Sequence, residues 1–254
     1  MGYLHEGHLS LVRRAAREND AVAVSIFVNP LQFGPREDFA SYPRDLKKDA
    51  ALLKKERVDF LFVPVSGEFY PEDFQTEVSV KRLSGPLCGA SRPTHFAGVA
   101  TVVLKLLNLV RPDTVYLGLK DYQQVRVLEQ MVKDLDLPVR VRRMPTVREP
   151  DGLAMSSRNA RLTPEERRQA PLLYQALRRG ARLVRSGLRD PRKLKEAMQN
   201  VLRAVTTGRL DYLEIRDART LGDVVELKKR STALLALAVH FSKTRLIDNL
   251  QVKV

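Results

Sequence analysis

The chain contains no tryptophan and only one cysteine, Cys88, among its 254 residues. A single thiol cannot form an internal disulfide, which fits a reducing compartment. The longest apolar run, around residues 233–239, falls far short of the ~20 residues that a membrane-spanning helix needs. The opening residues include His5 and His8 and lack the apolar stretch of a signal peptide. We therefore expect a cytoplasmic protein that does not interact with a membrane.

Acidic residues are scarce relative to basic ones, and the formal net charge is +14. From Val147 onward, 23 Lys and Arg residues face 12 Asp and Glu residues, whereas the preceding part carries 21 and 18. The excess can attract nucleic acid or an anionic small molecule, or it can form a solvated, Arg-rich helix surface. Because many of these arginines fall on predicted helical faces, we favour the solvated surface and expect no nucleic-acid partner.

The first half of the chain alternates strand and helix patterns. Apolar or alternating stretches predict strands at residues 21–28, 59–63, 76–81, 114–118 and 139–143. Helical spacing predicts helices at residues 44–57, 95–110 and 122–135. This order predicts an α/β fold with a doubly wound, Rossmann-like parallel sheet. Such a sheet normally begins with a strand that becomes central, but this sequence opens on a loop and a helix, so that first strand is missing from the pattern.

The second half has a different order of elements. Thr163-Pro164-Glu165-Glu166 predicts a helix start, with Thr163 as cap and Glu166 closing a capping box. Helices are predicted at 164–186 and 191–205, followed by strands at 212–217, 234–241 and 245–254. Helices followed by strands predict a smaller α+β domain. We therefore expect a Rossmann-like domain at residues 1–146 and a smaller α+β domain at residues 147–254.

Two of the four histidines lie in the opening segment, ahead of an apolar stretch with helical spacing. Gly7 between them lets phosphates approach the backbone, and the helix start adds N–H donors and a positive dipole end. Imidazoles at this place can stabilise the charge that develops on an α-phosphate under attack. The alternative is that His5 and His8 are surface or capping residues.

A second polar segment, Met155-Ser156-Ser157-Arg158, lies in a predicted loop. Its hydroxyls and guanidinium suit a pyrophosphate leaving group, although the segment alone is better explained as an ordinary polar loop. Together with the two histidines, it resembles the HIGH and KMSKS arrangement of the nucleotidyltransferase superfamily. Members of that superfamily attack the α-phosphate of ATP and release pyrophosphate.

Four further segments narrow this resemblance. Each has polar or charged side chains, among them amides, Arg, His, Lys and Asp, near the end of a predicted strand or the start of a predicted helix. The segments are residues 25–34, 92–99, 118–124 and 145–149. In order and in spacing they resemble the pantothenate synthetase (pantoate–β-alanine ligase) family, and the resemblance extends to residues 244–249. It implies ATP-dependent condensation of pantoate with β-alanine through a pantoyl adenylate, with release of AMP and pyrophosphate. ATP is expected with Mg²⁺, and a homodimer is implied by the family alone. With this resemblance, we expect residues 1–146 to be the nucleotide- and pantoate-binding domain and residues 147–254 to be a lid domain.

The resemblance also assigns roles to individual residues. ATP binding is implied for Met1, Gly2, Tyr3, Leu4, His5, Glu6, Gly7, His8, Gly118, Leu119, Lys120, Asp121, Val147, Met155, Ser156, Ser157 and Arg158. Catalytic roles are implied for His5, His8, Lys120, Ser156, Ser157 and Arg158. Binding of pantoate or β-alanine is implied for Asn29, Gln32, Arg92, His95 and Gln124.

Some of these residues have structural alternatives. Asp121 can simply cap its helix, and His95 can be a structural cap. The ligands of Mg²⁺ are not assigned: Asp45 and Asp49 are candidates, but their pattern favours a solvated helix face. Leu119 stands where the family usually has Glu.

Two other functions remain open at this point. One is a different nucleotidyltransferase with the same histidine motif, which would lack the amide combination that suits a hydroxy acid. The other is a basic nucleic-acid-binding protein, which would leave the histidine and Ser-Ser-Arg segments unexplained. The family also carries a Pro-Thr pair and a strand before the position of Met1, so we expect the fold and activity of this chain to depend on how it tolerates their absence.

Overall fold

The computed structural model describes residues 2–35 and 37–254 of the chain. They form two compact units, the first of Met1–Leu119 and Gln123–Thr146 and the second of Lys120–Tyr122 and Val147–Val254. The sequence-based boundary also falls after Thr146, but it assigned Lys120–Tyr122 to the first part. Met1, which the resemblance places in the ATP site, lies outside the described residues.

The first unit consists of short parallel strands and helices. Its helices are α1 (Glu6–Glu18), α2 (Leu46–Lys55), α3 (Ser66–Phe69), α4 (Lys81–Ser84), α5 (Cys88–Ser91), α6 (His95–Val110) and α7 (Tyr122–Asp134). Its strands are β1 (Ala23–Ser25), β2 (Phe60–Phe62), β3 (Thr114–Gly118) and β4 (Arg140–Met144). A short 3-10 turn occupies Pro30–Gln32, and a second one, Leu119–Asp121, begins in this unit and continues into residues of the other.

The four strands pair in parallel, and parallel pairing requires crossover connections such as the helices between them. β1 pairs with β2, and β3 pairs with β4. Within the described residues, β1 and β3 are not hydrogen-bonded neighbours in either sheet. The predicted α/β class is thus confirmed, with the parallel strands arranged as two pairs.

Two apolar clusters hold these strands and helices together. In one cluster α1 packs on β1, with Leu9, Val12 and Val24 buried and Tyr116 of β3 against them. The second cluster joins α6 to α7 and includes Leu128. The positions of α1, α6 and α7 are therefore fixed by packing, and so are the side chains in their first turns.

One predicted strand is wrong. Residues 76–80 form no strand, and Lys81 instead begins α4. The main-chain N–H of Val78 donates to the hydroxyl of Thr101 on α6 at 2.9 Å. The alternating residues Val78 and Val80 pack against the apolar cluster of α6 and α7, and the hydroxyl of Thr101 satisfies a donor that a strand would use in a ladder.

The second unit is an α+β structure. Its helices are α8 (Pro164–Gln169), α9 (Leu172–Arg185) and α10 (Pro191–Leu202), and a 3-10 turn spans Ser157–Arg161. Its strands are β5 (Gly208–Asp217), β6 (Thr232–Phe241) and β7 (Thr244–Lys253), which form an antiparallel sheet in the order β5-β6-β7. The predicted helix over residues 164–186 is divided in two, because Pro171 supplies no N–H and breaks the helix.

The centre of this unit is apolar, whereas its outer helix face is basic. The middle strand β6 is buried from Ala233 to Val239, and α9 and α10 contribute to the same core. The outward side of α9 presents exposed arginines at positions 178, 179, 182 and 185. This is the solvated, Arg-rich surface that the sequence favours. Of the helices in residues 2–35 and 37–254, none has the length and hydropathy to cross a bilayer.

Candidate active site

The two histidines of the opening segment form the start of α1. His5 is the N-cap residue, and its Nδ1 accepts a hydrogen bond from the main-chain N–H of Gly7 at 3.1 Å. His8 reaches back, and its Nδ1 accepts from the main-chain N–H of His5 at 3.4 Å. The pair thus forms a reciprocal capping box, built from imidazoles in place of the usual hydroxyl and carboxylate.

This arrangement fixes the tautomer of both rings. A neutral imidazole has one N–H donor and one acceptor nitrogen, so a ring whose Nδ1 accepts carries its proton on Nε2. The ring centroids of His5 and His8 lie 4.0 Å apart. Two Nε2–H donors therefore stand close together at the positive end of a helix dipole, which is a favourable environment for phosphate oxygens.

The segment before this helix has an unusual backbone. Tyr3 has φ +53° and Gly2 has φ +157°, values in the region that favours glycine. The carboxylate of Asp49 accepts from the main-chain N–H groups of Tyr3 and Leu4, each at 2.7 Å. The expectation of a solvated helix face is wrong for Asp49, which is only 1% exposed and shares the buried side of α2 with Leu53.

Asp45, the other acidic candidate on this helix, has a local role. It is the N-cap residue of α2, and its carboxylate accepts from the main-chain N–H of Lys48 at 2.9 Å. Capping satisfies a donor that has no partner within the helix.

Asn29 holds the amide of Gln32 in place. The Asn29 side chain is 2% exposed, and its Nδ2 donates to the carbonyl of Gly98 at 3.0 Å and lies 3.4 Å from Gln32 Oε1. Its Oδ1 accepts from the hydroxyl of Tyr70 at 2.9 Å. Burial raises the pKa of Tyr70 to about 12, so this hydroxyl remains a donor at neutral pH. The amide of Asn29 is thus committed within the protein, and that of Gln32 is oriented by it.

Gly98 lets α6 approach the turn that carries Gln32. A Cβ added at Gly98 would lie 2.2 Å from the main-chain oxygen of Leu31 and 2.6 Å from the main-chain nitrogen of Gln32. No side chain fits at that separation. The turn therefore rests directly on the helix backbone.

Arg92 and His95 meet the main chain of Gln32. His95 Nδ1 lies 2.8 Å from the Gln32 carbonyl oxygen, and Arg92 Nη2 donates to the same oxygen at 3.2 Å. Arg92 also pairs with Glu37, its Nε donating at 2.7 Å. Burial raises the pKa of Glu37, but the hydrogen bonds and charge of Arg92 outweigh it and leave this pKa lowered. These contacts hold the main chain of Gln32 in place, a role that the sequence did not indicate.

The two glutamines at the start of α7 differ in their surroundings. Gln123 is buried; its Oε1 accepts from the N–H of Cys88 at 3.0 Å, and its Nε2 donates to the carbonyls of Leu83 and Pro86 at 3.0 and 2.6 Å. The next residue, Gln124, is half-buried. The structure thus separates a glutamine that orders a loop from the one predicted to bind substrate.

In the second unit, Lys120 and Asp121 follow directly after β3. Lys120 Nζ lies 3.4 Å from Asp121 Oδ1, and the main-chain oxygen of Lys120 accepts from Asn249 Nδ2 at 2.8 Å. Gly118 ends the strand, paired with Met144. Leu119 starts the 3-10 turn that carries both charged residues.

The Ser-Ser-Arg segment extends from a narrow hairpin. The N–H of Met155 donates to the carbonyl of Val147 at 3.0 Å, which closes the hairpin. Ser156 then caps the 3-10 turn, its Oγ accepting from the N–H of Arg158 at 3.2 Å. Ser157 is buried within that turn. The segment therefore has a defined conformation, in contrast to an unstructured polar loop.

Arg148 ties this hairpin to the last strand. It donates to both oxygens of Asp248 at 2.6 and 2.9 Å and to the carbonyl of Gly152 at 3.0 Å. Its guanidinium carbon lies 3.6 Å from the centroid of the Tyr174 ring. Burial raises the pKa of Asp248, and the hydrogen bonds of Arg148 oppose that effect. This pair was not predicted, and its only signal in the sequence is an acidic residue within an apolar strand pattern, which requires a partner when buried.

Comparisons with known proteins now identify the family. The family model described as pantoate-beta-alanine ligase matches residues 1–251. The chain belongs to this family. Pantothenate synthetase of Thermotoga neapolitana is 56% identical over 98% of this chain and 88% of its own. Pantothenate synthetase of Carboxydothermus hydrogenoformans is 52% identical over the same shares.

Solved structures of pantoate–β-alanine ligases show the same fold. Pantothenate synthetase from Thermus thermophilus is 50% identical, with a TM-score of 0.95 over 100% of this chain and 91% of its own. The ligase from Francisella tularensis, solved with β,γ-ATP and β-alanine, is 38% identical with a TM-score of 0.80, over 98% of this chain and 86% of its own. The predicted family, fold class and ligase activity are confirmed: the chain is an ATP-binding ligase of pantothenate biosynthesis.

Proposed function

We propose that this ligase uses its two histidines to activate pantoate as an adenylate. The observation that carries the proposal is the imidazole capping box, which fixes the Nε2–H tautomer of His5 and His8. A pantoate carboxylate oxygen attacks the α-phosphorus of Mg-ATP, the bond to the bridging oxygen breaks, and pyrophosphate leaves. Negative charge grows on the α-phosphate oxygens in this step, and fixed N–H donors stabilise it.

Several cationic and hydroxyl side chains are proposed to bind the phosphates. Lys120 and Arg158 supply positive charge, and Ser156 and Ser157 supply hydroxyls, as the leaving pyrophosphate requires. The remaining nucleotide contacts are proposed for Met1, Gly2, Tyr3, Leu4, Glu6, Gly7, Gly118, Leu119, Asp121, Val147 and Met155.

Pantoate is proposed to bind the side-chain amides of Gln32 and Gln124. An amide both donates and accepts hydrogen bonds, so it suits a substrate with hydroxyl and carboxylate groups. Asn29, Arg92 and His95 then contribute by holding Gln32, as their contacts with its amide and carbonyl support.

The second step forms the amide bond. The amine of β-alanine attacks the acyl carbon of the adenylate, the carbon–oxygen bond to AMP breaks, and the amine loses a proton. Excluding water from this intermediate prevents its loss by hydrolysis. The lid role of residues 147–254 stays a prediction.

The remaining parts of the proposal concern the setting of the reaction. Mg²⁺ enters with ATP as the magnesium complex that is the substrate. A homodimer and a cytoplasmic location follow from the family resemblance and the sequence pattern, and nucleic acid has no role in the reaction.

The test is AMP formation by the purified chain, with ATP, pantoate and β-alanine omitted in turn. The proposal expects AMP only when all three are present, together with pyrophosphate exchange into ATP that needs pantoate but not β-alanine. AMP formation that does not require pantoate would favour another nucleotidyltransferase activity. Absence of AMP and of exchange in a folded sample would contradict the proposed reaction.

A further inference from the structure

Asp49 is a buried carboxylate whose partners lie far away in the sequence. Its side chain comes from α2, yet both of its oxygens accept main-chain N–H groups of Tyr3 and Leu4, 46 and 45 residues earlier. A buried charge normally needs strong donors. Both N–H groups are at 2.7 Å, which meets that need.

The segment bound by Asp49 leads directly into the histidine cap. Tyr3 adopts φ +53°, a conformation that a non-glycine residue keeps only when its surroundings hold it there. Leu4 is buried and immediately precedes His5, the N-cap residue of α1. The N–H groups bound by Asp49 therefore lie one and two residues before the cap, so a shift of this segment would move the ring of His5.

Neighbouring contacts place the same backbone from a second side. The ammonium of Lys48 lies 5.5 Å from the centroid of the Tyr3 ring. Lys48 and Asp49 are consecutive on α2, so one helix turn engages both the ring and the main chain of Tyr3. Leu53 packs α2 into the apolar cluster. The contacts of Lys48 and Asp49 therefore hold the Tyr3 segment against a helix whose position is fixed.

We propose that Asp49 is a positioning residue for adenylate formation, which holds the Gly2–Leu4 backbone so that His5 and His8 meet the α-phosphate of ATP. This inference rests on the role proposed above for the two histidines. Both carboxylate oxygens of Asp49 accept main-chain N–H groups and the side chain is almost fully buried, so Asp49 acts through the segment that it binds. The alternative role as a Mg²⁺ ligand would require those oxygens to release both N–H groups.

The test compares Asp49→Asn with the wild-type chain. The amide keeps the size of the side chain but offers one acceptor and directs an NH₂ group at a main-chain N–H, so the segment must shift. We expect kcat/KM for ATP to fall about 100-fold, as a displacement of catalytic groups by roughly 1 Å produces. The KM for β-alanine should stay within about twofold.

A spectroscopic measurement separates positioning from simple destabilisation. In ¹⁵N-labelled protein, Asp49→Asn should move the amide signals of Tyr3 and Leu4 and change the tautomer-sensitive ring nitrogen shifts of His5 and His8. Binding of β,γ-methylene ATP, followed by calorimetry, should weaken in parallel. These measurements need no turnover, so they decide the role of Asp49 even if the wild-type chain forms no AMP, an outcome that would overturn only the proposed reaction.

Asp59 provides a matched control in the same unit. Its carboxylate also accepts a main-chain N–H, that of Val22 at 2.8 Å, but it holds the start of β1 and not the histidine segment. Asp59→Asn should leave kcat/KM for ATP and the imidazole signals unchanged. Equal losses in the Asp59 and Asp49 variants, or an Asp49→Asn variant with unchanged imidazole signals and ATP binding, would overturn the proposal.

Discussion

Each of the two histidines has one ring nitrogen in the helix cap, and under the proposed function it uses the other for the chemistry. Nδ1 of His5 and of His8 accepts a main-chain hydrogen bond at the start of α1, and the proton on Nε2 is proposed to stabilise the α-phosphate. A single substitution to alanine removes both functions at once. Separating them requires a side chain that caps the helix but has no counterpart of the Nε2–H group.

His5→Asn makes that separation. Asn is among the preferred N-cap residues, so stability should change by less than about 0.5 kcal/mol, whereas His5→Ala should lose about 1 kcal/mol. Both variants should lose about 100-fold in kcat, because each removes the same donor to the phosphate. Urea unfolding and the AMP assay measure the two effects. Full activity in His5→Asn would show that His5 is only a cap.

Gln123 and Gln124 should respond to substitution in opposite ways. Gln123→Ala leaves the N–H of Cys88 and two carbonyls without their partner, so unfolding should become easier by roughly 1–3 kcal/mol. Gln124→Ala should leave stability nearly unchanged and raise the KM for pantoate about 10-fold or more, as the loss of a substrate hydrogen bond implies. Thermal unfolding and initial rates distinguish them, and reversed results would exchange the two roles.

At the scale of elements, the contact between α6 and the turn at Pro30–Gln32 depends on Gly98. Gly98→Ala places a methyl group against main-chain atoms of Leu31 and Gln32 and must push the turn away. We expect a loss of about 1–3 kcal/mol, the usual cost of an overpacked contact. The KM for pantoate should rise as Gln32 moves. The control is Gly67→Ser, at an exposed position where an added Cβ meets nothing within 4 Å. It should change neither the stability nor the KM for pantoate.

The hairpin that carries Ser156 and Ser157 depends on the bidentate pair of Arg148 and Asp248. Arg148→Lys keeps the charge but loses the paired geometry and the flat contact with Tyr174. We expect a stability loss of roughly 1–3 kcal/mol and a weaker affinity for ATP. In a double-mutant cycle with Asp248→Asn, the double variant should lose less stability than the sum of the two single losses. Strict additivity would mean that the two side chains do not act as a pair.

The sequence predicted elements well where local patterns decide the structure. The helix His95–Val110 and the strand Thr114–Gly118 have their predicted bounds, because an apolar helical pattern there ends at Arg111-Pro112. Residues 76–80 were predicted wrongly because their pattern comes from contact with α6, which is not visible locally. The inward position of Asp49 escaped prediction for a similar reason, since its partners are 45 and 46 residues away.

The same distinction applies to the site. The histidine and Ser-Ser-Arg segments could be singled out as candidates from their composition and order, because their polar groups are contiguous, and their roles in the reaction stay predictions. The supporting contacts of Gln32 come from Arg92 and His95, 60 and 63 residues further along the chain, and only the folded chain brings them together.

For the whole molecule, carboxyl groups with lowered pKa values set the response to acid. Hydrogen bonds from Arg14 and Tyr116 lower the pKa of Glu18 to about 2, and those from Ser242 and the N–H of Thr163 lower that of Glu166. Such groups contribute stability that is complete above their unfolded pKa of ~4.3 and is lost as pH falls through the folded value. Asp248 acts in the opposite direction, because burial raises its pKa.

We therefore expect the urea midpoint to be nearly constant from pH 7 to about 5 as far as these carboxyl groups are concerned, and to fall steadily between about pH 4.5 and 2. The variant Glu166→Gln should flatten part of this decline. A midpoint that rises on acidification to pH 3 would contradict the assignment.

The single thiol of this chain offers a way to observe motion at one defined place. Cys88 is buried, and its main-chain N–H is held by Gln123, whose amide also binds the carbonyls of Leu83 and Pro86. A thiol reagent can reach the sulfur only when that loop opens, and no other cysteine in the sequence competes for it. The rate of labelling therefore reports how often this one loop opens, and it can be measured during turnover without introducing any substitution.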